Sequence, residues 1–273
     1  MRNRRLDEIE LVAIDTETTG LYAISGRLLE IGAVRFTLDG SVRAEYQQLI
    51  NPGEPIAPEI QQINRISDEM VAEQPTVEQV LPTLVDFLES DNTLVMAHNA
   101  AFDLNFLGAA FSKCGIALPA LPVLDTLALA RLLLPRAPNH KLETLCTVLS
   151  LPRGTHRALA DAHAVRALFL ALAQTRPDVQ TLEQLHQLTP LLGFADGDVV
   201  PIEAPPGFEA LALAMEERRI VTIVYDGGSK GIAPRPVTPI SLLRSNGASF
   251  LLARCELEGR DKQFRLDRVR EVR

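Results

Sequence analysis

Apolar runs and amphipathic periods divide the first 190 residues into strands and helices. Runs with strand character cover residues 11–15, 27–37 and 44–50, and Asp39-Gly40 predicts a hairpin turn between the last two. A further strand is predicted at 93–97. Helical patterns cover 76–90, 102–113, 126–134, 142–149, 158–173 and 181–188. Three strands followed by a strand that alternates with helices predict an α/β domain, with a mixed central sheet covered by helices on both faces.

The pattern changes after residue 190. Residues 190–207 are rich in proline, glycine and acids and have no periodicity, so we predict a linker there. A helix at 208–219 then leads into short alternating runs, which predict a small strand-rich module. These runs cover 220–225, 237–243, 250–257 and 263–266. We place the domains at 1–178 and 207–273, joined by a short helix and linker at 179–206.

Composition excludes several classes of protein. The chain has 273 residues, of which 47% are hydrophobic, and this is enough for a substantial core. No apolar run has the length of a membrane span or a signal segment, which predicts a cytoplasmic protein without a membrane partner. The three cysteines are scattered and form no C-x-x-C pair, so neither a disulfide framework nor a zinc site is expected.

Charge is distributed unevenly along the chain. The formal net charge is −8, but residues 206–273 hold 12 of the 27 basic residues and only 9 of the 35 acidic ones. The last part therefore has a net charge of +3 and the first part a net charge of −11. This asymmetry indicates two units with different roles. The acidic part can bind a polyanion if divalent cations lie between them.

Four acidic residues occupy positions where the apolar pattern predicts burial. Asp15 and Glu17 end the first strand on one face, about 7 Å apart along the chain. Asp103 follows the strand at 93–97, and Asp161 lies on the apolar face of the helix at 158–173. Taken singly, each acid has an ordinary explanation, such as a solvated turn or a hydrogen bond to nearby backbone. Together they predict four carboxylates at the edge where α/β sheets bind ligands.

Such a cluster of carboxylates requires cations. Oxygen ligands without cysteine favour Mg²⁺ or Mn²⁺ over zinc, and two such ions form the usual clamp for displacement at phosphorus. His156 lies in a glycine-containing loop five residues before Asp161, so it is the candidate general base. The other histidines are interpreted as structural or lack a comparable context: His98, His140, His163 and His186.

The stretches DTETTG, HNAAFD and HRALADA contain these residues and resemble, in order and spacing, the three motifs of the DEDDh exonuclease family. The resemblance covers residues 9–175. It implies a ribonuclease-H-like fold, with a mixed five-stranded sheet flanked by helices, and a 3′-to-5′ exonuclease that releases nucleoside 5′-monophosphates. It also implies that two Mg²⁺ or Mn²⁺ ions bind Asp15, Glu17, Asp103 and Asp161, with His156 as general base.

The same resemblance implies a set of substrate contacts around the terminal nucleotide. The positions that match the family are Thr18, Thr19, Leu21, Glu59, Asn64, Asn99 and Phe102. Where the family's proofreading members have a His-Gly pair, this chain has Asn64-Arg65.

The segment after residue 206 resembles the WYL domain. The similar stretches are ALAMEERRIVTIVYDG, PRPVTPISLL, ASFLLARCEL and KQFRLDRV, with Ser249-Phe250-Leu251 in place of the tripeptide that names the family. Because WYL domains bind nucleic acid or nucleotide-like ligands, the resemblance implies phosphate contacts. The candidates are Arg235, Arg254, Arg265 and Arg268. A solvated basic face or a dimerisation module is the alternative of nearly equal weight.

The leading interpretation is an exonuclease acting on single-stranded 3′ ends, with DNA favoured over RNA, in replication or repair. The alternatives are an RNA-trimming exoribonuclease and a nucleic-acid-binding or ligand-sensing regulator. A DNA polymerase, a sliding clamp or a second copy of the chain are the candidate protein partners. Residues 187–192 (QLTPLL) loosely resemble a clamp-binding peptide, although an ordinary helix end explains them too. A carboxylate-pair glycosidase is disfavoured because it needs two acids and no metal.

Overall fold

The computed structural model describes residues 3–88, 92–197, 200–227, 231–245 and 248–273. Within them the chain forms two compact units, Met1–Gly197 and Asp198–Arg273. None of the helices in these ranges is both long enough and apolar enough to cross a membrane. Residues 89–90 of the helix predicted at 76–90, and residues 198–199 of the predicted linker, lie outside the described residues.

The first unit combines a sheet with helices, as the sequence predicts. Its strands are β1 (Glu10–Thr18), β2 (Leu28–Phe36), β3 (Val42–Leu49), β4 (Thr93–Ala97), β5 (Pro122–Asp125) and β6 (Leu192–Gly193). Its helices are α1 (Pro58–Asn64), α2 (Asp68–Val71), α3 (Val77–Leu88), α4 (Ala100–Cys114), α5 (Thr126–Leu133), α6 (Leu142–Val148), α7 (Ala158–Gln174) and α8 (Leu182–Leu188).

The sheet of the first unit is mixed, which confirms the predicted fold class. The strand order is β3-β2-β1-β4-β5-β6. Strands β1, β4 and β5 run parallel, and the remaining pairs are antiparallel. The sixth strand, β6, has only two residues and lies beyond the five-stranded sheet that the sequence predicts.

Side chains of β1 alternate between two separate cores, as the period of two in a strand requires. Val12 and Ile14 pack in the core that contains α3 and α4. Leu11 and Ala13 pack in the core that contains α5, α6, α7 and α8. The central strand is therefore buried on both faces, and its polar C-terminal end stands out against that background.

Part of the segment predicted as linker is packed into the first unit. Residues Phe194–Gly197 form a 3-10 helix directly after β6. The Phe194 ring is buried and contacts Phe111 of α4 edge to face, with ring centroids 6.4 Å apart. An isolated aromatic residue in a stretch without periodicity thus acts as an anchor.

The second unit is an antiparallel sheet with one described α-helix, as predicted for the strand-rich module. Its elements are β7 (Val200–Pro201), α9 (Glu209–Glu216), β8 (Val221–Asp226), β9 (Ile232–Ser245), β10 (Ala248–Cys255), β11 (Arg260–Arg265) and β12 (Val269–Val272). The strand order is β11-β10-β9-β8-β12, and β7 also pairs with β9. Its core comes from α9 and the strands, with Leu211, Ile223, Val237, Leu251 and Phe264 all buried.

Candidate active site

Strand β1 presents Asp15 and Glu17 on the face that α7 covers. The two acids follow Leu11 and Ala13 in the alternation, so they project toward the same side of the sheet. In the antiparallel register, Asp15 lies opposite Gly32 of β2 and Glu17 lies opposite Glu30. Both acids are half-buried at the end of the strand.

Gly32 allows α7 to approach β2 closely at this point. A Cβ atom at position 32 would overlap the backbone of Ala158 and Leu159, in the first turn of α7. Because Gly32 is the cross-strand neighbour of Asp15, the close approach brings the start of α7 to the acids of β1. Asp161, also in the first turn of α7, reaches the site in this way.

The loop before α7 wraps around Asp161. Gly154 packs against the Asp161 carboxylate so tightly that a Cβ atom there would overlap Oδ1. The backbone N–H of Thr155 donates to the same oxygen at 2.8 Å. The next residue, His156, is exposed and adopts a left-handed backbone conformation, with φ of 56°.

Three predicted site residues come together in one group. A ring nitrogen of His156 and a carboxylate oxygen each of Glu17 and Asp161 all lie within 4.8 Å of one another. The two carboxylates of this group offer oxygen ligands of the kind that a divalent cation requires, and the His156 ring lies beside them. Among the described residues, Asp15 and Asp103 lie outside this particular group.

Asp103 approaches from the other side of β1. It lies in the first turn of α4 and is 3% exposed. Thr16, which projects to the face opposite Asp15 and Glu17, donates from Oγ1 to Asp103 Oδ1 at 2.8 Å. Asp15, Thr16 and Glu17 therefore place β1 between the Asp161 carboxylate of α7 and the Asp103 carboxylate of α4.

Burial raises the pKa of all four acids, and for Asp15 and Glu17 the charges of the other acids raise it further. Burial, followed by the charges of the neighbouring acids, raises the pKa of Asp15 well above its usual value. The same causes raise the pKa of Glu17 to about 8. Burial raises the pKa of Asp103 to about 7, although the Thr16 hydroxyl opposes the shift. Burial also raises the pKa of Asp161, against the Thr155 N–H bond. Each of the four carboxylates is thus harder to ionise than a carboxylate in water unless a cation neutralises it.

Sequence reasoning missed Glu30, a fully buried carboxylate on β2. It accepts hydrogen bonds from Arg157 Nε at 2.9 Å, Arg157 Nη2 at 2.7 Å, the Ala158 backbone N–H at 3.0 Å and Gln47 Nε2 at 2.8 Å. An acid inside an apolar strand is the same signal that identifies Asp103 and Asp161. Applied to residues 27–37, this criterion finds Glu30.

Asp125 is a second missed residue and supports Asn99. Asn99 is exposed in a left-handed conformation, with φ of 69°, just before α4. Its backbone N–H donates to Asp125 Oδ1 at 3.0 Å, and the same oxygen accepts from the Leu127 N–H at 2.9 Å. The neighbouring His98 is within hydrogen-bond distance of Thr126 Oγ1 and of a backbone carbonyl, which fits a structural role.

The predicted substrate residues of the first motif form an ordered loop. Thr18 donates from Oγ1 to the Gly20 carbonyl at 2.6 Å. Thr19 exchanges two bonds with the Arg27 backbone, each 2.8 Å long. These bonds fix the loop while Leu21, which is 66% exposed, projects into solvent.

The remaining predicted substrate residues differ in exposure. Phe102 is half-buried and packs on Phe106, with ring centroids 5.1 Å apart, and Glu59 is exposed on α1. Asn64 is 1% exposed, and its Oδ1 accepts from the Ile66 N–H at 3.0 Å. The structure therefore places the Asn64 amide as a cap for the turn after α1, where it is not presented to a substrate.

Arg235 of the second unit is buried, unlike the other three arginines predicted there. It is 4% exposed, with Nη2 3.3 Å from the Gly227 carbonyl and Nη1 3.9 Å from Glu258. Its guanidinium lies 6.0 Å from the centre of the Tyr225 ring. Within the described residues its Nε has no hydrogen-bond partner.

The other three arginines are exposed on separate elements. Arg254 lies on β10 and Arg268 in the 3-10 helix Leu266–Arg268. Arg265 ends β11 and forms a two-bond ion pair with Asp267, at 3.0 and 2.6 Å.

The segment at 187–192 is folded into the first unit. Thr189 is buried, and the Leu191 N–H donates to His186 Nδ1 at 3.1 Å. Leu192 belongs to β6. The structure thus presents these residues as the end of α8 and the start of a strand.

Each of the two units is similar to a known protein family. A family model described as Exonuclease matches residues 12–169, and a WYL domain model matches residues 206–273. The chain is 36% identical, over 180 residues and 65% of its length, to a PolC-type DNA polymerase III from Halalkalibacterium halodurans. That match covers 12% of the polymerase. A PolC-type relative from Bacillus cereus is also 36% identical, and the match to it covers 12% of its length.

Two solved structures share the fold. Exonuclease X in complex with 5′ overhanging duplex DNA is 30% identical, with a TM-score of 0.52, and the match covers 66% of this chain and 99% of that one. Exonuclease I of E. coli in complex with a dA16 oligonucleotide has a TM-score of 0.58, covering 90% of this chain and 55% of that one. At 15% identity the second likeness concerns the fold alone. Together they confirm the predicted ribonuclease-H-like class.

Proposed function

Because the chain belongs to the exonuclease family whose model matches residues 12–169, we propose that it removes nucleotides from single-stranded 3′ ends, with DNA favoured over RNA. The predicted resemblance to this family and to WYL domains is confirmed. The observation that carries the proposal is the convergence of acids from β1, α4 and α7 beside an exposed histidine. Buried carboxylates that repel one another in this way are stabilised when cations bind between them.

The donor set fits Mg²⁺ or Mn²⁺. We propose that two such ions are held by Asp15, Glu17, Asp103 and Asp161. The raised pKa values of these carboxylates reflect the charge that the ions would neutralise. Bound there, the ions supply activation of the attacking water and stabilisation of the leaving oxygen.

His156 is the proposed general base. Its side chain is exposed beside Glu17 and Asp161, so it can take a proton from water at the site and release it to solvent. The Thr18-Thr19 loop, Leu21, Asn99 and Phe102 are proposed to hold the terminal nucleotide, with Glu59 at the rim. Asn64 is left out of this set because its amide caps a turn.

Hydrolysis of labelled oligonucleotides tests the proposal. With Mg²⁺ or Mn²⁺, a 5′-labelled single strand should give a ladder of shortened products, whereas a 3′ label should leave as a mononucleotide. Asp15→Ala and Asp161→Ala should abolish both signals, and Asp86→Ala, at an exposed acid of α3, should retain them. Release of a 5′ label as the first product, or full activity of Asp15→Ala, would contradict the proposal.

His156→Ala isolates the base from the cation site. General base catalysis contributes about 10² to 10⁴-fold, so turnover should fall by that factor while the Mn²⁺ concentration at half-maximal activity stays similar. His163→Ala is the matched control, since His163 also lies on α7 but pairs with Glu45 of β3. An unchanged rate for His156→Ala would remove its assigned role.

A role for the second unit in binding nucleic acid is a further candidate. The supporting observation is Arg235, a buried guanidinium whose Nε has no partner among the described residues, together with exposed Arg254 and Arg268. If these residues contact phosphates, Arg254→Gln and Arg268→Gln should weaken binding of long strands and reduce its salt dependence, with little effect on dinucleotide cleavage. Association with a polymerase in replication or repair is a related proposal, which the PolC-type relatives support.

A further inference from the structure

The hydrogen bonds of Glu30 join two parts of the chain that are far apart in sequence. Glu30 lies on β2, directly opposite Glu17 in the register, and its side chain is fully buried. Arg157 donates to both of its oxygens through Nε and Nη2, at 2.9 and 2.7 Å. The Ala158 N–H, the first backbone donor of α7, adds a third bond at 3.0 Å. The carboxylate thus caps the start of α7 and clamps the residue before it.

This arrangement fixes the segment that contains two of the proposed site residues. Arg157 directly follows His156, and Asp161 lies in the turn of helix that Glu30 caps. His156 has a left-handed backbone, which is unfavourable for a residue with a side chain and persists only where the surroundings impose it. The clamp on Arg157 provides such a constraint at the adjacent residue.

The charges of the pair suit its position. A fifth carboxylate beside four acids would add repulsion, but Arg157 neutralises it at close range. Burial by itself would raise the pKa of Glu30, yet the bonds from Arg157, Gln47 and Ala158 outweigh burial and lower it. Glu30 therefore stays ionised and keeps its acceptors available. The guanidinium fork is required for this, since a lysine ammonium cannot make two parallel bonds.

We propose that Glu30 and Arg157 are positioning residues for hydrolysis, which hold His156 and Asp161 against the two acids of β1. This role rests on the exonuclease function proposed above. Neither residue needs to contact the substrate or an ion. Their effect is to fix the loop of residues 153–157 and the first turn of α7 in the geometry in which the site is complete.

Steady-state kinetics of Glu30→Gln, Arg157→Gln and the double variant test the proposal on the full chain. Loss of a group that orients a ligand costs about 10 to 100-fold in activity, so kcat should fall by that factor in each single variant, with KM within about threefold. The double variant should be no worse than the poorer single variant, because both remove the same clamp. Arg157→Lys should retain an intermediate kcat.

Arg35→Gln is the matched control. Arg35 forms an ion pair with Glu10 at 2.9 Å between β2 and β1, away from the site residues. Its loss should lower the melting temperature to a similar degree and leave kcat unchanged. If Glu30→Gln and Arg157→Gln lower the melting temperature but keep kcat within twofold, the pair is structural and the proposal is wrong.

Amide hydrogen exchange gives a readout that does not depend on activity. Protection of residues 153–161 should decrease in Glu30→Gln and Arg157→Lys, but not in Arg35→Gln. If the wild-type chain cleaves no oligonucleotide, the proposed function fails while exchange still tests the clamp. Unchanged protection in both clamp variants would overturn the positioning role whatever the activity.

Discussion

Thr16 has a specific task, because its hydroxyl donates a hydrogen bond to the Asp103 carboxylate at 2.8 Å. Asp103 is buried on the α4 side of β1, where water cannot easily replace the bond. The hydroxyl favours the ionised form of Asp103 and opposes the effect of burial on its pKa. A residue between two of the acids of β1 thus adjusts the pKa of a third acid.

Thr16→Val should weaken cation binding in a pH-dependent manner. The variant keeps the shape of the side chain but removes the bond, so the pKa of Asp103 should rise above its value of about 7 in the wild type. Protons then compete more strongly with the cation at pH 7 than at pH 9. Titration of Mn²⁺ against activity at both pH values should show the loss of affinity mainly at pH 7.

Thr147→Val serves as the control for this substitution. Thr147 also donates from its hydroxyl to one acceptor, the Glu143 carbonyl, but on the exposed side of α6. Equal Mn²⁺ requirements for Thr16→Val and Thr147→Val at both pH values would show that the Asp103 bond has no part in cation binding.

Helix α7 and strand β2 are in close contact at Gly32, so the position of α7 depends on the residue at position 32 of β2. The first turn of α7 occupies the space where a side chain at this position would lie. Backbone atoms cannot rotate out of the way as the end of a long side chain can. A methyl group at position 32 must therefore push the whole start of the helix outward, and Asp161 with it.

Gly32→Ala should cost stability and activity together. Overpacking typically costs about 1 to 3 kcal/mol, and this contact with backbone belongs at the upper end. Urea unfolding should show a lower midpoint, and kcat should fall because Asp161 moves away from β1. Gly193→Ala, where the nearest atom to the new Cβ would be 4.0 Å away, should change neither. Retention of kcat in Gly32→Ala would mean that α7 can relax without moving Asp161.

Long periodic elements are predictable from the sequence, whereas short ones are not. The predicted helix at 158–173 and strand at 27–37 agree with α7 and β2 to within a residue at each end. The four residues of β5 and the seven of α1 are too short to show a period, and α1 falls in a segment with proline at 52, 55 and 58. Their formation depends on contacts from distant parts of the chain, such as the pairing of β5 with β4.

The acids of the candidate site are predictable because a charged residue at an apolar position is conspicuous in a sequence. Their supporting residues are harder to find. Gly32 and Gly154 matter through the space they leave for other segments, and this space exists only in the folded chain. Asn64 shows the opposite limit, since its match to a motif position does not reveal that its amide faces inward.

At the scale of the whole molecule, the acid cluster should make the stability of the cation-free protein depend on pH. The folded-state pKa of Glu17 is about 8 and that of Asp103 about 7, both above unfolded values of about 4. Raised carboxylate pKa values contribute stability that is fully present below the unfolded value and is lost as pH rises through the folded value. The stability from these acids should therefore fall between about pH 5 and pH 8.

Melting curves with and without a divalent cation measure this effect. In a chelator, the melting temperature should fall from pH 6 to pH 8, and Mn²⁺ should raise it strongly at pH 8 and weakly at pH 5. Glu17→Gln should flatten the dependence in the chelator. A melting temperature that rises from pH 6 to pH 8 without cation would contradict the raised pKa values.

The two units should fold separately, since each has its own core. The buried clusters of the first unit come from residues 6–194 and that of the second from residues 211–269. A fragment of residues 1–197 should show a cooperative melt and retain hydrolysis of short oligonucleotides. A fragment of residues 198–273 should retain the circular dichroism of an antiparallel sheet. Loss of cooperative melting in both fragments would show that neither core suffices alone.

The number of residues in strand β1 determines which face of the sheet its acids occupy. Asp15 and Glu17 point toward α7 because each lies an even number of residues after Leu11, whose side chain points the same way. Thr16 lies an odd number of residues after Leu11 and points toward α4. Removing one residue from 11–14 would turn both carboxylates to the α4 side and bring Thr16 to the α7 side. Removing two would restore the sides but shorten the strand. The four apolar residues 11–14 therefore cannot lose or gain a single position without dismantling the site.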